Sequence, residues 1–258
     1  MARTGIEVQI SSVKALFFRE IKTRFGKFHL GYLWAILEPI SHLLLLLIIF
    51  GYILHRTMPA ISFPIFLVNG IIPFIVFSNI TKRSVGAIEA NKSLFNYRPV
   101  KPIDTVIARA FLEMCIYMCV YIIIMFIIWL SGESFKIVNP LLLLSIWVLL
   151  LVLSFSIGII FMVIGHSFQE MQKFIPILMK PLYFLSCVMF PLHVIPRQYW
   201  TYLLWNPLVH IVELSREAVM PGYICEGVSM NYLLIFCLVS LFIGLGLYKI
   251  SEEDMLTS

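Results

Sequence analysis

In this 258-residue sequence, the residues most able to carry out chemistry are ionisable side chains inside long apolar segments. Glu38 and His42 lie one helical turn apart in the first such segment, and Arg109 and Glu113 are four residues apart in the third. Lys180 interrupts the fifth segment. Because charge in hydrocarbon is costly, such groups usually face a bundle interior or a water path. The spacing of Arg109 and Glu113 predicts an ion pair along one helix.

Motifs of enzymes and metal sites are missing from the sequence. It has no Walker A motif, no nucleophile elbow and no HExxH zinc motif. The five cysteines form no CxxC pair, and no Cys/His pattern has metal-ligand spacing. The six histidines are scattered along the chain. We therefore predict no catalytic residue, no metal site and no cofactor in this chain.

The composition indicates a membrane protein. Hydrophobic residues make up 60% of the chain and charged residues only 13%, with a mean hydropathy of +0.95. So few charges cannot cover the surface of a water-soluble domain of this size. The formal net charge of +5 is therefore interpreted through its distribution along the chain, and nucleic acid is not an expected partner.

Six apolar segments are each long enough to cross a bilayer as a helix, which takes roughly 17–25 residues. They are residues 33–54, 61–80, 106–130, 141–164, 174–190 and 231–248. The fifth is the shortest, and Pro176 and Pro181 predict a kink or break in it. The predicted fold class is an all-α integral membrane protein with six transmembrane helices. No internal repeat is visible, which argues against carriers built from inverted repeats.

The distribution of basic residues predicts the orientation. If both termini are cytoplasmic, the inside segments hold thirteen Lys and Arg and the outside segments hold four. The positive-inside rule favours this topology over its reverse. The inside segments are 1–32, 81–105, 165–173 and 249–258, and the outside segments are 55–60, 131–140 and 191–230. We thus divide the chain into a cytoplasmic N-terminus, 1–32, and a membrane domain, 33–258.

Residues 8–28 are predicted to form an amphipathic helix at the membrane surface. Apolar residues recur at spacings of three and four, as in Ile10, Val13 and Phe17, while basic residues lie elsewhere on the helix. Arg24 breaks this pattern, because it falls within the apolar stripe. Its guanidinium must reach the lipid headgroups or find a buried acidic partner, for which Glu38 is one candidate.

The predicted inside loop 81–105 combines a short helix, residues 84–95, with an apolar knob. The knob consists of Leu94, Phe95 and Tyr97, and basic residues flank it. Such a knob fits docking to another protein, and it equally fits a turn anchored at the lipid interface. The pattern alone favours the interfacial turn.

The predicted outside segment 191–230 is too polar to span the membrane, yet it is rich in aromatic residues. Four prolines divide it into short helical pieces. Short helices that re-enter the membrane need protein or water to satisfy their polar groups. The segment is therefore either a gate or vestibule, or an aromatic belt at the interface, and the pattern does not separate the two.

Three stretches resemble the ABC-2 type export permeases. LFFREIKTRF followed by LGYLWAILEP (residues 16–39) resembles the opening of these proteins. NYRPVKPIDTVIARAFLE (96–113) and WNPLVHIVELSREAVMPGY (205–223) resemble one branch, the inner-membrane permeases of bacterial group 2 capsular polysaccharide exporters of the polysialic acid type. The resemblance covers essentially the whole chain, and the three segments occur in the same order.

The resemblance implies a homodimer with the conduit between its subunits, working with a separate ATP-binding subunit that carries ATP and Mg²⁺. It also implies a periplasmic adaptor or co-polymerase and an outer-membrane polysaccharide exporter as partners. In the family, the N-terminal helix and the first inside loop contact the ATPase, which favours docking for the apolar knob. The residues expected to couple to the ATPase are Arg19, Glu20, Arg24, Lys92, Leu94, Phe95, Tyr97 and Arg98.

The implied substrate is a lipid-linked, acidic polysaccharide exported from cytoplasm to periplasm across the inner membrane. Aromatic faces suit it, because they stack on sugar rings without a fixed register. The conduit and gate candidates are Trp34, Glu38, Phe190, Tyr199, Trp200, Trp205 and His210, and candidate polyanion contacts are Arg83 and Lys180. Three alternatives remain: a permease of this family for O-antigen or teichoic acid, a membrane-embedded glycolipid transferase, and a proton-coupled carrier using Glu38 or Glu113.

Overall fold

A computed structural model describes residues 5–25, 31–53, 62–95, 100–132, 137–223 and 225–257. Every regular element within these ranges is helical, in agreement with the predicted all-α fold class. Ten α-helices are numbered α1 to α10 below in chain order. One end of the molecule, termed the α1 end, carries α1, α4 and the first turns of α5. The other, termed the α9 end, carries α8 and α9.

Four helices are long and apolar enough to cross a membrane: α3 (Phe63–Val85), α5 (Pro102–Leu130), α6 (Pro140–Ser167) and α10 (Met230–Thr257). Two shorter helices coincide with the other predicted spans. Helix α2 (Gly31–Leu46) continues as a π-helix over Leu47–Ile53, and α7 (Met171–Leu185) has 15 residues and contains Pro176 and Pro181. The total of six spans remains a prediction.

Helix α3 is the centre of the bundle. It packs against α5, α6, α7 and α9, and 78% of its most apolar stretch is buried inside the protein. The outer faces of the surrounding helices are apolar instead of charged, as Phe126 on α5, Val148 on α6 and Phe242 on α10 illustrate. Such outer faces are compatible with lipid as the surrounding solvent.

Helix α1 (Gly5–Phe25) packs along the first part of α5. The face that it buries carries Ser12, Leu16 and Glu20, spaced one helical turn apart, whereas Ile10 of the predicted apolar stripe is exposed. Ile10 thus remains available to a membrane surface, Val13 and Phe17 are half-buried, and a second face holds the helix to the bundle.

The predicted inside loop 81–105 is shorter in the structure. Helix α3 continues to Val85, so that Lys82 and Arg83 lie on its last turn, and a turn at Gly86 leads into α4 (Ala87–Phe95). Helix α5 begins already at Pro102. The apolar stretch alone did not mark these ends, because helices extend into the polar region beyond the hydrocarbon.

The predicted division of residues 191–230 into short helical pieces is confirmed. Turns of 3₁₀-helix cover Leu192–Val194 and Arg197–Tyr199, and α8 (Trp200–Leu203) follows. Helix α9 (Pro207–Val219) begins with Pro207 in its first turn, and the side chain of Asn206 accepts a hydrogen bond from the Leu208 amide at 3.0 Å. Helix α9 is buried against α3, α6 and α10.

Candidate functional site

Glu113 is the centre of a buried ion-pair network at the α1 end. Its side chain is 1% exposed, and its Oε1 lies 2.5 Å from Nη1 of Arg24 and 3.3 Å from Nε of Arg83. One carboxylate therefore joins α1, α3 and α5. Arg24, which interrupts the apolar stripe of α1, does find a buried acidic partner, and that partner is Glu113.

Arg109 lies beside this network and binds a different glutamate. Its Nε donates to Oε1 of Glu20 at 2.9 Å, and its Nη1 donates to the carbonyl oxygen of Arg83 at 2.6 Å. The predicted pairing of Arg109 with Glu113 along α5 is wrong. Since α1 packs along this face of α5, each of the two side chains instead finds an opposite charge on α1.

Helix α4 is held to α1 by a hydrogen bond from Arg19 to the side chain of Asn91. Leu94 lines a mainly apolar groove of about 350 Å³ between α1 and the end of α4, and Lys92 is exposed. Phe95 is not part of an exposed knob: its side chain is 9% exposed and packs in a cluster that includes Ile159 on α6 and Tyr248 on α10. This correction follows from α4 folding back onto the bundle.

Tyr97 and Arg98, the remaining residues expected to couple to an ATPase, lie outside the described residues.

A second cavity, termed the α2–α7 groove, opens between α2, α3 and α7 and has a volume of about 570 Å³. Its wall is a mixture of apolar residues and polar side chains, the latter including Glu38, His42, Asn79, Lys82, Lys180 and Tyr183. Within it, the Tyr183 hydroxyl lies 3.3 Å from Nε2 of His42. The groove presents both signs of charge on an apolar background.

The predicted conduit and polyanion residues are only partly brought together. Glu38 and Lys180 share the α2–α7 groove, and Trp34 is exposed one turn before Glu38 on α2. Arg83 does not line the groove but pairs with Glu113. Lys82 lines it instead and was missed by sequence reasoning, which placed both residues in a loop.

The α9 end contains a buried ion pair that the sequence did not reveal. Arg216 is 0% exposed: its Nη1 donates to Oε1 of Glu213 at 2.9 Å, its Nη2 donates to the Val188 carbonyl at 2.7 Å, and its guanidinium stacks 3.6 Å from the Phe66 ring centroid. Glu213 also accepts a hydrogen bond from the hydroxyl of Tyr223 at 2.7 Å. These contacts fix α9 to α3 and to the segment that precedes α9. In the sequence, the three-residue spacing between Glu213 and Arg216 was the only signal of this ion pair.

His210 is buried in the same region and does not line open space. The Ser229 amide donates to its Nδ1 at 3.0 Å, and its Nε2 donates to the Leu204 carbonyl at 2.9 Å. Burial lowers the pKa of His210 from the ordinary value of 6.5, and the hydrogen bond to Leu204 opposes this shift in part. A neutral imidazole fits this pattern, because Nδ1 acts as an acceptor.

The aromatic gate candidates differ in exposure. Tyr199 and Trp205 are exposed, the latter by 77%. Trp200 is half-buried and donates its indole N–H to the Ile195 carbonyl at 2.8 Å, while Phe190 packs against a small apolar cluster. The structure thus leaves Tyr199 and Trp205 free to meet a passing molecule or a lipid interface.

Neither end offers a metal site within the described ranges, where no group of three or more His, Cys, Asp or Glu side chains could hold an ion. The candidate site thus has three parts: the buried ion-pair network of Glu113, the amphiphilic α2–α7 groove, and the exposed aromatic residues Tyr199 and Trp205.

Comparison with known proteins identifies the family. The family model described as ABC-2 type transporter matches residues 11–220. The polysialic acid transport protein KpsM of Escherichia coli is 71% identical over 258 residues, covering 100% of both chains. The capsule polysaccharide export inner-membrane protein CtrC of Neisseria meningitidis is 28% identical, over 93% of this chain and 90% of its own. The O-antigen export system permease protein RfbA of Klebsiella pneumoniae is 22% identical, over 90% of this chain and 88% of its own. The chain therefore belongs to the ABC-2 type transporter family.

Proposed function

We propose that this chain is the membrane permease of an ATP-driven exporter that moves lipid-linked capsular polysaccharide across the bacterial inner membrane. The observation that carries this proposal is the 71% identity, without length difference, to a polysialic acid transport protein. A relative named for capsule polysaccharide export, at 28% identity, supports the same class of cargo.

The α1 end is proposed to face the cytoplasm and to receive the ATP-binding subunit, which binds ATP and Mg²⁺. The excess of basic residues in the segments that meet there supports this orientation. Leu94, Lys92 and the groove beside α1 offer the docking surface. Arg19, Glu20 and Arg24 are bound within the chain, and we assign them the transmission of movement to α4, α5 and α3.

The conduit is proposed to run between two copies of the chain, with the α2–α7 groove of each copy facing the other. The face beside this groove exposes large apolar side chains, including Trp34, Ile177 and Phe184. The polar groups that line the groove suit a hydrated sugar chain, whereas the exposed apolar side chains beside it suit contact between copies. Tyr199 and Trp205 would then line the periplasmic exit, where an adaptor and an outer-membrane exporter receive the polymer.

Movement in this mechanism starts at the ATP-binding subunits. Their closure shifts α1 and α4. The ion pairs that Glu113 forms with arginines of α1 and α3, and the ion pair that Glu20 forms with an arginine of α5, carry the displacement to α3 and α5. Because α3 also forms one wall of the α2–α7 groove, its displacement changes the width of the conduit.

Co-purification tests the proposal. The tagged chain, extracted in mild detergent, should bring with it a subunit that has a Walker A motif and hydrolyses ATP. Leu94→Asp should lower the amount of that subunit several-fold, since it places a charge in the apolar groove between α1 and α4. Leu256→Asp, an exposed leucine on the last turn of α10, is the matched control. A chain that purifies alone and has no such partner contradicts the exporter and favours the transferase or the carrier.

A second cargo is supported by the 22% identity to an O-antigen permease. Analysis of the polymer that accumulates in the cytoplasm of a deletion strain distinguishes the two candidate cargoes, capsular polysaccharide and O-antigen. Capsular polysaccharide is the expected result, and accumulation of O-antigen would assign the chain to the other pathway.

A further inference from the structure

The arginines and the two lysines of the α2–α7 groove differ in their pairing, although Lys101 and Lys249 elsewhere pair with Glu252. Every arginine that the structure describes lies within 4 Å of a glutamate oxygen: residues 19, 24, 83, 109, 197 and 216. Lys82 and Lys180 form no such pair with any described residue, although Lys82 is the immediate neighbour of Arg83. The two ammonium groups are thus available to something outside the chain.

Both lysines line the α2–α7 groove, from two different helices. Lys82 lies on the last turn of α3 and is half-buried, and Lys180 lies in the middle of α7 and is exposed. Much of the remaining wall is apolar, with Phe74, Met179 and Phe184 among its members. The half-buried ammonium of Lys82 gains little solvation from such a wall, so that water or an anionic ligand must compensate it, while Lys180 presents an exposed charge in the same groove.

We propose that Lys82 and Lys180 form a subsite for the carboxylates of an acidic polysaccharide passing through the groove. The inference rests on the proposed function and specifies how its cargo is recognised. An ammonium is a compact charge with rotatable donors and imposes no planar, two-point geometry on a carboxylate, unlike a guanidinium. A polymer can therefore move past lysines while each sugar exchanges its contact with the next.

Glu38 gives the subsite a second property. Its carboxylate lines the same groove, so that it repels an anionic chain and offsets one of the two positive charges. A moving polymer has to leave each contact as readily as it enters it, and this requirement limits the useful affinity. Glu38 therefore keeps binding weak.

Binding is measured on the chain assembled with its ATP-binding subunit in lipid nanodiscs. The probe is a short fluorescent sialic acid oligomer, and the comparison ligand is the same oligomer with its carboxyl groups reduced to alcohols. Lys82→Gln with Lys180→Gln should weaken binding of the acidic oligomer roughly tenfold or more, because a hydrogen bond to a charged group contributes about one order of magnitude. Glu38→Gln should strengthen it. Lys249→Gln on α10, which removes an equal charge far from the groove, should have no effect.

The outcomes separate the subsite from the exporter. Unchanged binding in the double variant, or equal binding of the reduced oligomer by the parent, overturns the subsite but leaves export intact. A parent complex that binds no acidic oligomer also counts against the subsite. Failure of the parent to export any polysaccharide would remove the proposed function itself. ATP hydrolysis by the assembled variants shows that each of them has folded.

Discussion

At the scale of single residues, Glu113 carries an unusual share of the contacts at the α1 end. It holds two guanidinium groups from two different helices while being nearly inaccessible to solvent. Removing one member of a buried charged network leaves its partners desolvated and unpaired, which costs more than the network itself contributes. The identity of this residue should therefore matter for stability as well as for movement.

Glu113→Gln is expected to lower the free energy of unfolding by about 2–3 kcal/mol, because Arg24 and Arg83 lose their shared charge. This value lies below the roughly 3–5 kcal/mol that is usual for breaking a buried pair, since Arg83 is 37% exposed. Glu226→Gln removes a glutamate whose pair with Arg197 is exposed, and it should change stability by less than about 1 kcal/mol. Thermal unfolding in detergent measures both variants, and equal shifts would contradict this role of Glu113.

His210 should make the α9 end sensitive to acid. Because burial lowers its pKa below the ordinary 6.5, the folded protein binds this proton less readily than the unfolded chain does. The contribution of neutral His210 to the free energy of unfolding is fully present above pH 6.5, and it is lost as the pH falls through the lowered pKa. The unfolding temperature should drop between pH 7.5 and 5.5, and His210→Gln should reduce that drop. A drop of the same size in the variant would assign the sensitivity to other groups.

Residue-level chemistry was only partly visible in the sequence. Ionisable residues in apolar segments were predicted to face the bundle interior or a water path. The structure agrees, since it buries Arg109 and Glu113 and places Glu38 and Lys180 in the groove. Their partners were not predictable, because spacing along one helix says nothing of a second helix that packs alongside. Lys82 and Arg83 show the same limit, since adjacent residues of a helix point about 100° apart and only packing decides which one meets the groove.

At the scale of elements, close approach between α3 and its neighbours positions the groove and α9. A Cβ atom at Gly70 would lie 2.6 Å from the Val188 carbonyl oxygen and 2.7 Å from Nη2 of Arg216. Glycine is therefore needed here for packing, because neither the backbone of the segment before α9 nor the fixed guanidinium can move away freely.

Gly70→Ala should destabilise the protein by roughly 1–3 kcal/mol through overpacking. Gly246→Ala is the matched control within a helix, since a Cβ there would meet nothing within 4 Å; it should be neutral or stabilising by up to about 1 kcal/mol. Thermal unfolding compares the two. A Gly70→Ala variant as stable as the parent would show that α9 can shift away from α3.

Long helices were predictable and short ones less so. Continuous apolar runs identified the cores of α3, α5, α6 and α10, because a run of this length has few other interpretations. Proline spacing predicted the fragments between residues 191 and 230, but not that α9 is buried along most of its length. The pattern left a gate and an interfacial belt equally open, whereas in the structure Glu213, Arg216 and Tyr223 satisfy one another inside the protein.

At the scale of the whole molecule, α3 connects the ion-pair network of Glu113 to the α2–α7 groove. Its last turn places Arg83 in the ion-pair network and Lys82 in the α2–α7 groove. A displacement that arrives through α1 at Glu113 would therefore pass to Arg83, and the adjacent residue Lys82 already lies in the groove. We propose this turn of α3 as the shortest mechanical link between the ATP-binding subunit and the conduit.

ATP-driven polysaccharide transport is the most direct measurement of the central proposal. Inverted inner-membrane vesicles containing the chain and its ATP-binding subunit are supplied with lipid-linked acidic polysaccharide on the outside. We expect polymer to enter the vesicles only when ATP is added, and the proton gradient to be dispensable. Entry that continues without ATP and stops when the proton gradient is dissipated would contradict the exporter and identify a proton-coupled carrier.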